Sequence, residues 1–152
     1  MKLRYIRIDN DKMQYETAKL LNIAKSTYST WETEASTIPL KRLIDFCNLF
    51  DVSLDYALGL TNKPKYPNMK KNIDYKLCSS RIKKIRKLNN YTQNDIAAIL
   101  NTDNGVISRY ENGKTLILTE FLIEYTKIFN ISADYLIGRI DEKIELKSSI
   151  KN

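Results

Sequence analysis

In the second half of the chain, Ile82, Ile85 and Leu88 recur at helical spacing among Lys83, Lys84, Arg86 and Lys87. This predicts an amphipathic helix from Arg81 to Leu88. Asn89-Asn90-Tyr91 breaks it, and Thr92 then stands as the N-cap of a second helix carrying Ile96, Ala97, Ile99 and Leu100. Asp95, three residues on, completes a weaker relative of the capping box. After a break at Asn101-Thr102, Asp103 caps a third helix through Val106, Ile107 and Tyr110. Its carboxylate suits the positive end of the helix dipole. Asn112-Gly113 ends that helix in the left-handed conformation that glycine accepts. A fourth helix starts near Thr119 and buries Phe121, Leu122, Tyr125 and Phe129. A short fifth has Ser132 as N-cap, Asp134 in its first turn and Gly138 after it. Five short helices with one apolar face each predict a compact all-α unit.

The first half repeats that pattern 79 positions earlier without a gap. Ile6-Arg7 matches Ile85-Arg86, Gln14 matches Gln93, and Ala18 matches Ala97. Leu21-Asn22 falls on Leu100-Asn101, Trp31-Glu32 on Tyr110-Glu111, and Asp55-Tyr56 on Asp134-Tyr135. A unit written twice predicts two tandem five-helix domains. The boundaries that follow are 1–61 for the first domain, 62–78 for a linker, 79–140 for the second domain and 141–152 for a tail. Punctuation is weaker in the first copy. Ala24 replaces the capping Asp103, Thr33-Glu34 replaces Asn112-Gly113, and Pro39 suits the first turn of helix four. The connector, with Pro64 and Pro67 among lysines and asparagines, reads as extended and poorly packed. The tail, Asp141 to Leu146, reads as a further helical turn or two.

Charge changes this picture by separating the copies. The net charge of +7 is absent from residues 1–62, where eight basic side chains balance eight acidic ones. Residues 63–80 carry +4 and the remainder +3. A basic linker and second copy suggest a polyanionic partner, although a basic balance also serves solubility. The chain contains no histidine, the commonest general base and metal ligand. Cys47 and Cys78 show no disulfide or metal spacing. Cys47 lies on an apolar helical face and Cys78 reads as an ordinary free thiol, which fits a reducing, cytoplasmic setting. No apolar run approaches membrane-spanning length, and no signal peptide is evident.

A second helix, a tight break and a third helix form a helix-turn-helix. Thr92-Gln93, Ala97, Leu100, the run Ile107 to Lys114, Phe129 to Ser132 and Asp134 to Gly138 resemble the Cro and phage-repressor family, also called the xenobiotic-response-element type. The likeness covers nearly all of the second copy. The first copy joins it through Met13-Gln14, Ala18, Leu21, Tyr28-Ser29, Trp31-Glu32 and Val52-Ser53, and departs at Thr33-Glu34-Ala35. The third helix of such a unit is the one that can enter a major groove. By position it offers Asn104, Gly105 and Arg109 in the second copy, and Lys25, Ser26 and Thr30 in the first. Arginine can grip guanine and asparagine adenine with paired hydrogen bonds. Arg109 could equally meet a phosphate. The resemblance implies that Gln93 and Gln14 contact a phosphate and brace the recognition helix, and that Asn112, Gly113 and Lys114 form a phosphate-binding loop. It also implies ion pairs inside the fold between Arg86 and Glu111 and between Arg7 and Glu32. Glu34 and Ala35 put a negative charge where a phosphate would lie, so the first copy either contacts DNA differently or serves as a pairing surface.

These readings converge on a double-stranded DNA-binding transcriptional regulator, a repressor by analogy with the family, needing no cofactor, metal or small-molecule ligand. Two unlike heads in one chain predict an asymmetric or direct-repeat site unless two chains associate as a homodimer. The alternative is a protein-interaction module, such as an antitoxin or anti-repressor. An enzyme is disfavoured, because nucleophile motifs and glycine-rich phosphate loops are missing from a chain with four glycines.

Overall fold

The computed structural model of the chain describes residues 1–146. Within them the chain forms ten α-helices, and its one β-type contact is an isolated bridge between Ile131 and Glu145. The first copy comprises α1 (Leu3–Asp9), α2 (Gln14–Leu20), α3 (Lys25–Glu32), α4 (Leu40–Leu49) and α5 (Leu54–Ala57). The second comprises α6 (Tyr75–Leu88), α7 (Gln93–Ile99), α8 (Asn104–Glu111), α9 (Thr119–Phe129) and α10 (Ala133–Leu136). Both five-helix patterns read from periodicity are therefore present. The caps act as their residue types dictate. The Thr92 hydroxyl accepts from the Asp95 amide at 3.0 Å, and the Asp95 carboxylate accepts from the Thr92 amide at 2.8 Å. Asp103 accepts from the Val106 amide, and Ser132 and Ser53 from the amides of Tyr135 and Tyr56.

Apolar faces close each unit. In the first copy Leu3, Ile6, Ala18, Tyr28, Trp31, Leu43 and Phe46 are buried. Their counterparts in the second are Ile82, Ile85, Ala97, Ile107, Tyr110, Leu122 and Tyr125. Full burial of a leucine or isoleucine side chain contributes about 1.5–3 kcal/mol, so these residues supply part of what offsets the ordering entropy of each unit. One pocket is filled in two ways. Tyr28 on α3 stacks on Phe46 of α4, whereas the repeat has Ile107 on α8 and moves the tyrosine to Tyr125 on α9.

The two units dock through their shortest helices. Asp55 accepts a hydrogen bond from the Ala133 amide at 2.6 Å and another from the Ser132 hydroxyl. Asp134 accepts from the amides of Leu54 and Asp55 at 3.0 and 2.7 Å. Both carboxylates are wholly buried. Each first-turn aspartate thus caps the other unit's short helix, where the dipole favours a negative charge. Arg139, 1% exposed, donates to Asp134 at 3.0 Å, to the Asn48 side-chain Oδ1 of α4 at 3.1 Å and to the Lys70 backbone carbonyl at 3.0 Å.

The connector is not the loosely packed tether that its composition suggests. Tyr66 is buried and its hydroxyl donates to Asp55 at 2.8 Å. The Lys70 amide bonds the Arg139 carbonyl, and the Asp74 amide bonds the Ile137 carbonyl. Asp74 caps α6, which starts at Tyr75, six residues before the start read from Arg81. The first turn and a half was missed because Cys78, a free thiol that is buried four residues before Ile82, was not counted with the apolar face, and Lys76 and Ser80 are exposed. Pro39 sits at the N-cap of α4, just outside its first turn. The tail adds no helix through Leu146. It runs extended past the N-cap of α10, with the Ser132 amide bonded to the Ile144 carbonyl at 2.9 Å, as the Ser53 amide is bonded to the Pro64 carbonyl at 2.6 Å. Linker and tail therefore occupy the same place in successive repeats. The remaining tail residues lie outside the described range.

Candidate nucleic-acid interface

The turn between α7 and α8 depends on Asn101, whose φ of 54° is the left-handed conformation that asparagine tolerates. The Thr102 amide then returns to the Ala97 carbonyl at 2.9 Å. Asn22 repeats this at φ 56° between α2 and α3, with the Ile23 amide on the Ala18 carbonyl. The small Ala97 and Ala18 side chains are buried where the paired helices approach.

Beneath each pair lies one network written twice. Arg86 of α6 grips Glu111 of α8 with both Nε and Nη2, the latter at 3.1 Å, and its Nη1 donates to the Tyr91 carbonyl at 2.8 Å. Gln93 Nε2 donates to the same carboxylate at 2.6 Å. In the first copy Arg7 meets Glu32 at 2.9 Å and the Lys12 carbonyl at 2.7 Å, and Gln14 Nε2 reaches Glu32 at 3.3 Å. Hydrogen bonding to the carboxylate holds the Arg86 and Arg7 guanidiniums above their ordinary value, against the opposing effect of burial. These pairs lie inside the fold and fix the third helix against the first. Each glutamine spends one amide hydrogen on the brace and keeps the other, with its half-buried position at the start of the second helix.

Above that brace α8 turns an outer face to solvent. Asn104, Arg109, Asn112 and Lys114 are exposed and Gly105 is half-buried. A Cβ on Gly105 would stand 2.9 Å from the capping Asp103 Oδ1 and 3.6 Å from Arg109 Nη1. The guanidinium therefore lies back across the first turn of α8, and the glycine leaves room for both groups. Gly113, at φ 72°, ends the helix as its residue type suggests, and the Asn112 side-chain Nδ2 donates to Ser108 Oγ at 3.2 Å.

On α3 the corresponding face is poorer. Lys25 and Ser26 are exposed, but Thr30 is half-buried, with its hydroxyl donating to the Thr27 carbonyl at 2.7 Å and lying 2.6 Å from Ser36 Oγ. Ala24 supplies no cap bond. Glu34 takes the left-handed turn at φ 60°, in the place of Gly113, and its carboxylate meets the amino group of Met1 at 3.0 Å.

Two features of the flanks escaped the reading of motifs. Lys76, Lys83, Lys84 and Lys87 line an open groove of about 560 Å³ along α6, with Ser79, Ser80 and Glu111 at its side. Their spacing at helical intervals was visible, but only the extra turns of α6 bring Lys76 into line. In the first copy Tyr5 and Ile8 occupy the positions of Lys84 and Lys87 and are exposed, as are Met13, Tyr15 and Leu20. Thus two of the flank's lysines are replaced by exposed apolar side chains in the first copy, while Arg4 keeps the charge of Lys83. No helix among the described residues is long and apolar enough to cross a membrane, and no group of three or more metal-ligating side chains gathers there.

Comparison with known proteins agrees with this geometry. The chain is 38% identical over 72 residues to the uncharacterized HTH-type transcriptional regulator YobD of Bacillus subtilis, covering 47% of this chain and 64% of that protein. It is 36% identical over 59 residues to the HTH-type transcriptional regulator ImmR of the same organism, covering 39% of this chain and 46% of that protein. The chain therefore spans less than two thirds of the length of these relatives. No solved structure matches it significantly. A helix-turn-helix family model matches twice, over residues 3–56 and 82–136, the spans of the two five-helix units. With its two braced helix pairs at those places, the chain belongs to the helix-turn-helix family of the Cro and phage-repressor type, in two tandem copies.

Proposed function

We propose that this chain is a sequence-specific double-stranded DNA-binding transcriptional regulator that represses by occupying its site. The observation that carries the reading is the outer face of α8. Polar side chains able to read bases, Asn104 and Arg109, stand on a helix fixed from behind by the Arg86–Glu111–Gln93 network. Cationic side chains flank them at Lys114 and along α6. Base reading needs rigid presentation, and phosphate contacts set the register of the duplex. In this reading Gln93, Asn112, Gly113 and Lys114 meet phosphates, Arg109 and Asn104 meet base edges, and Gly105 permits close approach. Lys25, Ser26, Thr30 and Gln14 make a weaker set in the first copy. The regulator works without a cofactor, in the cytoplasm, on the nucleoid.

Salt and base dependence test this together. Affinity for duplex DNA should fall steeply between low and moderate salt, with a slope of roughly 0.9 per neutralised phosphate. Arg109→Ala should relax preference at one base pair at a cost of about 1–3 kcal/mol, while Lys114→Ala weakens all sequences alike and reduces the salt slope by about one. An unchanged site preference in Arg109→Ala would remove its role as a base reader. A second reading, a module that docks another protein, is favoured by one observation: Tyr5, Ile8, Met13, Tyr15 and Leu20 are exposed on the first copy. Binding through that flank would be nearly insensitive to salt.

A further inference from the structure

The seam between the units fixes how the two heads face DNA. In the repeat register Leu54 corresponds to Ala133 and Asp55 to Asp134. Asp55 caps residue 133, and Asp134 caps residue 54. Residue i of one unit meets j of the other while j meets i, which is the mark of an isologous, two-fold contact; head-to-tail docking would join unlike surfaces. A second contact crosses the same seam. The Thr119 hydroxyl at the start of α9 donates to the Ile38 carbonyl at 2.7 Å, so the segment leading into α4 abuts the start of α9.

We infer that one chain does the work of a dimer and recognises an imperfect inverted repeat. This rests on the DNA-binding reading above and adds the class of site. A two-fold protein matches the two-fold relation between DNA strands, so heads related in this way read half-sites of opposite polarity. A direct repeat, the arrangement suggested by tandem units on a loose tether, requires heads related by translation, and the seam excludes that. The half-sites are unlike because the heads are unlike: Asn104 and Arg109 read one, Lys25 and Ser26 the other. The seam is also closed to a second chain. Its buried carboxylates are satisfied internally, and Arg139, which has Leu60 in the repeat register, ties Asp134 to α4 and to Lys70 of the linker.

The test is selection of duplexes from a random pool by the full-length protein. The selected half-sites are then rebuilt as inverted, direct and single copies, with the mass of each complex measured by native mass spectrometry. Expected are an enriched imperfect inverted repeat with half-sites about 10 base pairs apart, one chain per duplex, and binding at least ~10-fold tighter than to the direct repeat, since misplacing one head forfeits its base contacts. Equal or tighter binding to the direct repeat, enrichment of one half-site alone, or two chains per duplex would each overturn the inference and leave DNA binding standing. A pool with no enriched sequence would instead remove the DNA-binding reading on which it rests.

Discussion

Arg86, Glu111 and Gln93 show how single residues hold the third helix in place. Arg86 and Glu111 are 7% and 6% exposed, so neither is placed to recognise anything outside the fold. Removing one member of a buried pair leaves the other charge uncompensated, at a cost of about 3–5 kcal/mol. Glu111→Ala should therefore lower the denaturation midpoint sharply, whereas Arg109→Ala, at an exposed position, should leave it within about 0.5 kcal/mol. If Glu111→Ala unfolded at the wild-type denaturant concentration, the network would not be the brace described. At this scale the sequence was largely legible: residues repeated in both copies, Arg7 with Glu32 and Arg86 with Glu111, do meet. The bracing of the third helix by Gln93 and Gln14, implied by the resemblance, takes the form of an amide that reaches a carboxylate eighteen positions on, a partner that a polar residue opening a helix does not itself reveal.

Helix ends separate the two copies as elements. The cap of α8 is Asp103 and that of α3 is Ala24, which gives α3 no side-chain cap bond. Ala24→Ser should add about 1 kcal/mol of stability, and Thr92→Ala should remove a similar amount from α7, both read by thermal or denaturant unfolding. Caps and breaks were readable because each rests on local chemistry, such as a hydroxyl or carboxylate one turn before an amide. The start of α6 was not, since Lys76, Ser79 and Ser80 carry no apolar period and only Asp74 marks the end. Nor was the packing of the linker and tail. Tyr66 and Leu146 are single apolar residues in polar company, and the surfaces that bury them belong to distant segments.

For the whole molecule, the seam joining α5 and α10 decides behaviour. Repeated aspartates at 55 and 134 read locally as favourable first-turn charges, and nothing local says that each caps the other unit. Two carboxylates buried together also couple docking to pH. Burial, and next the neighbouring Asp134 carboxylate, push Asp55 up to about 7, while hydrogen bonds from Ser132 and Tyr66 oppose the shift. Arg139 stands on the Asp134 side of the pair. An acid held above its unfolded value of about 3.9 binds its proton more tightly when folded. Its contribution to stability is full below about pH 4 and is lost as pH rises through about 7. The melting temperature should thus be higher at about pH 6 than at about pH 8, and Asp55→Asn should flatten that difference. A hydroxyl-radical footprint of the intact protein on its selected duplex at low salt reads the two heads directly. Two protected tracts are expected on one face of the helix, about one turn apart, with the stronger tract under the second unit and lost first in Arg109→Ala. Uniform cleavage along the duplex, or a single tract unaffected by that substitution, would contradict two-headed DNA recognition.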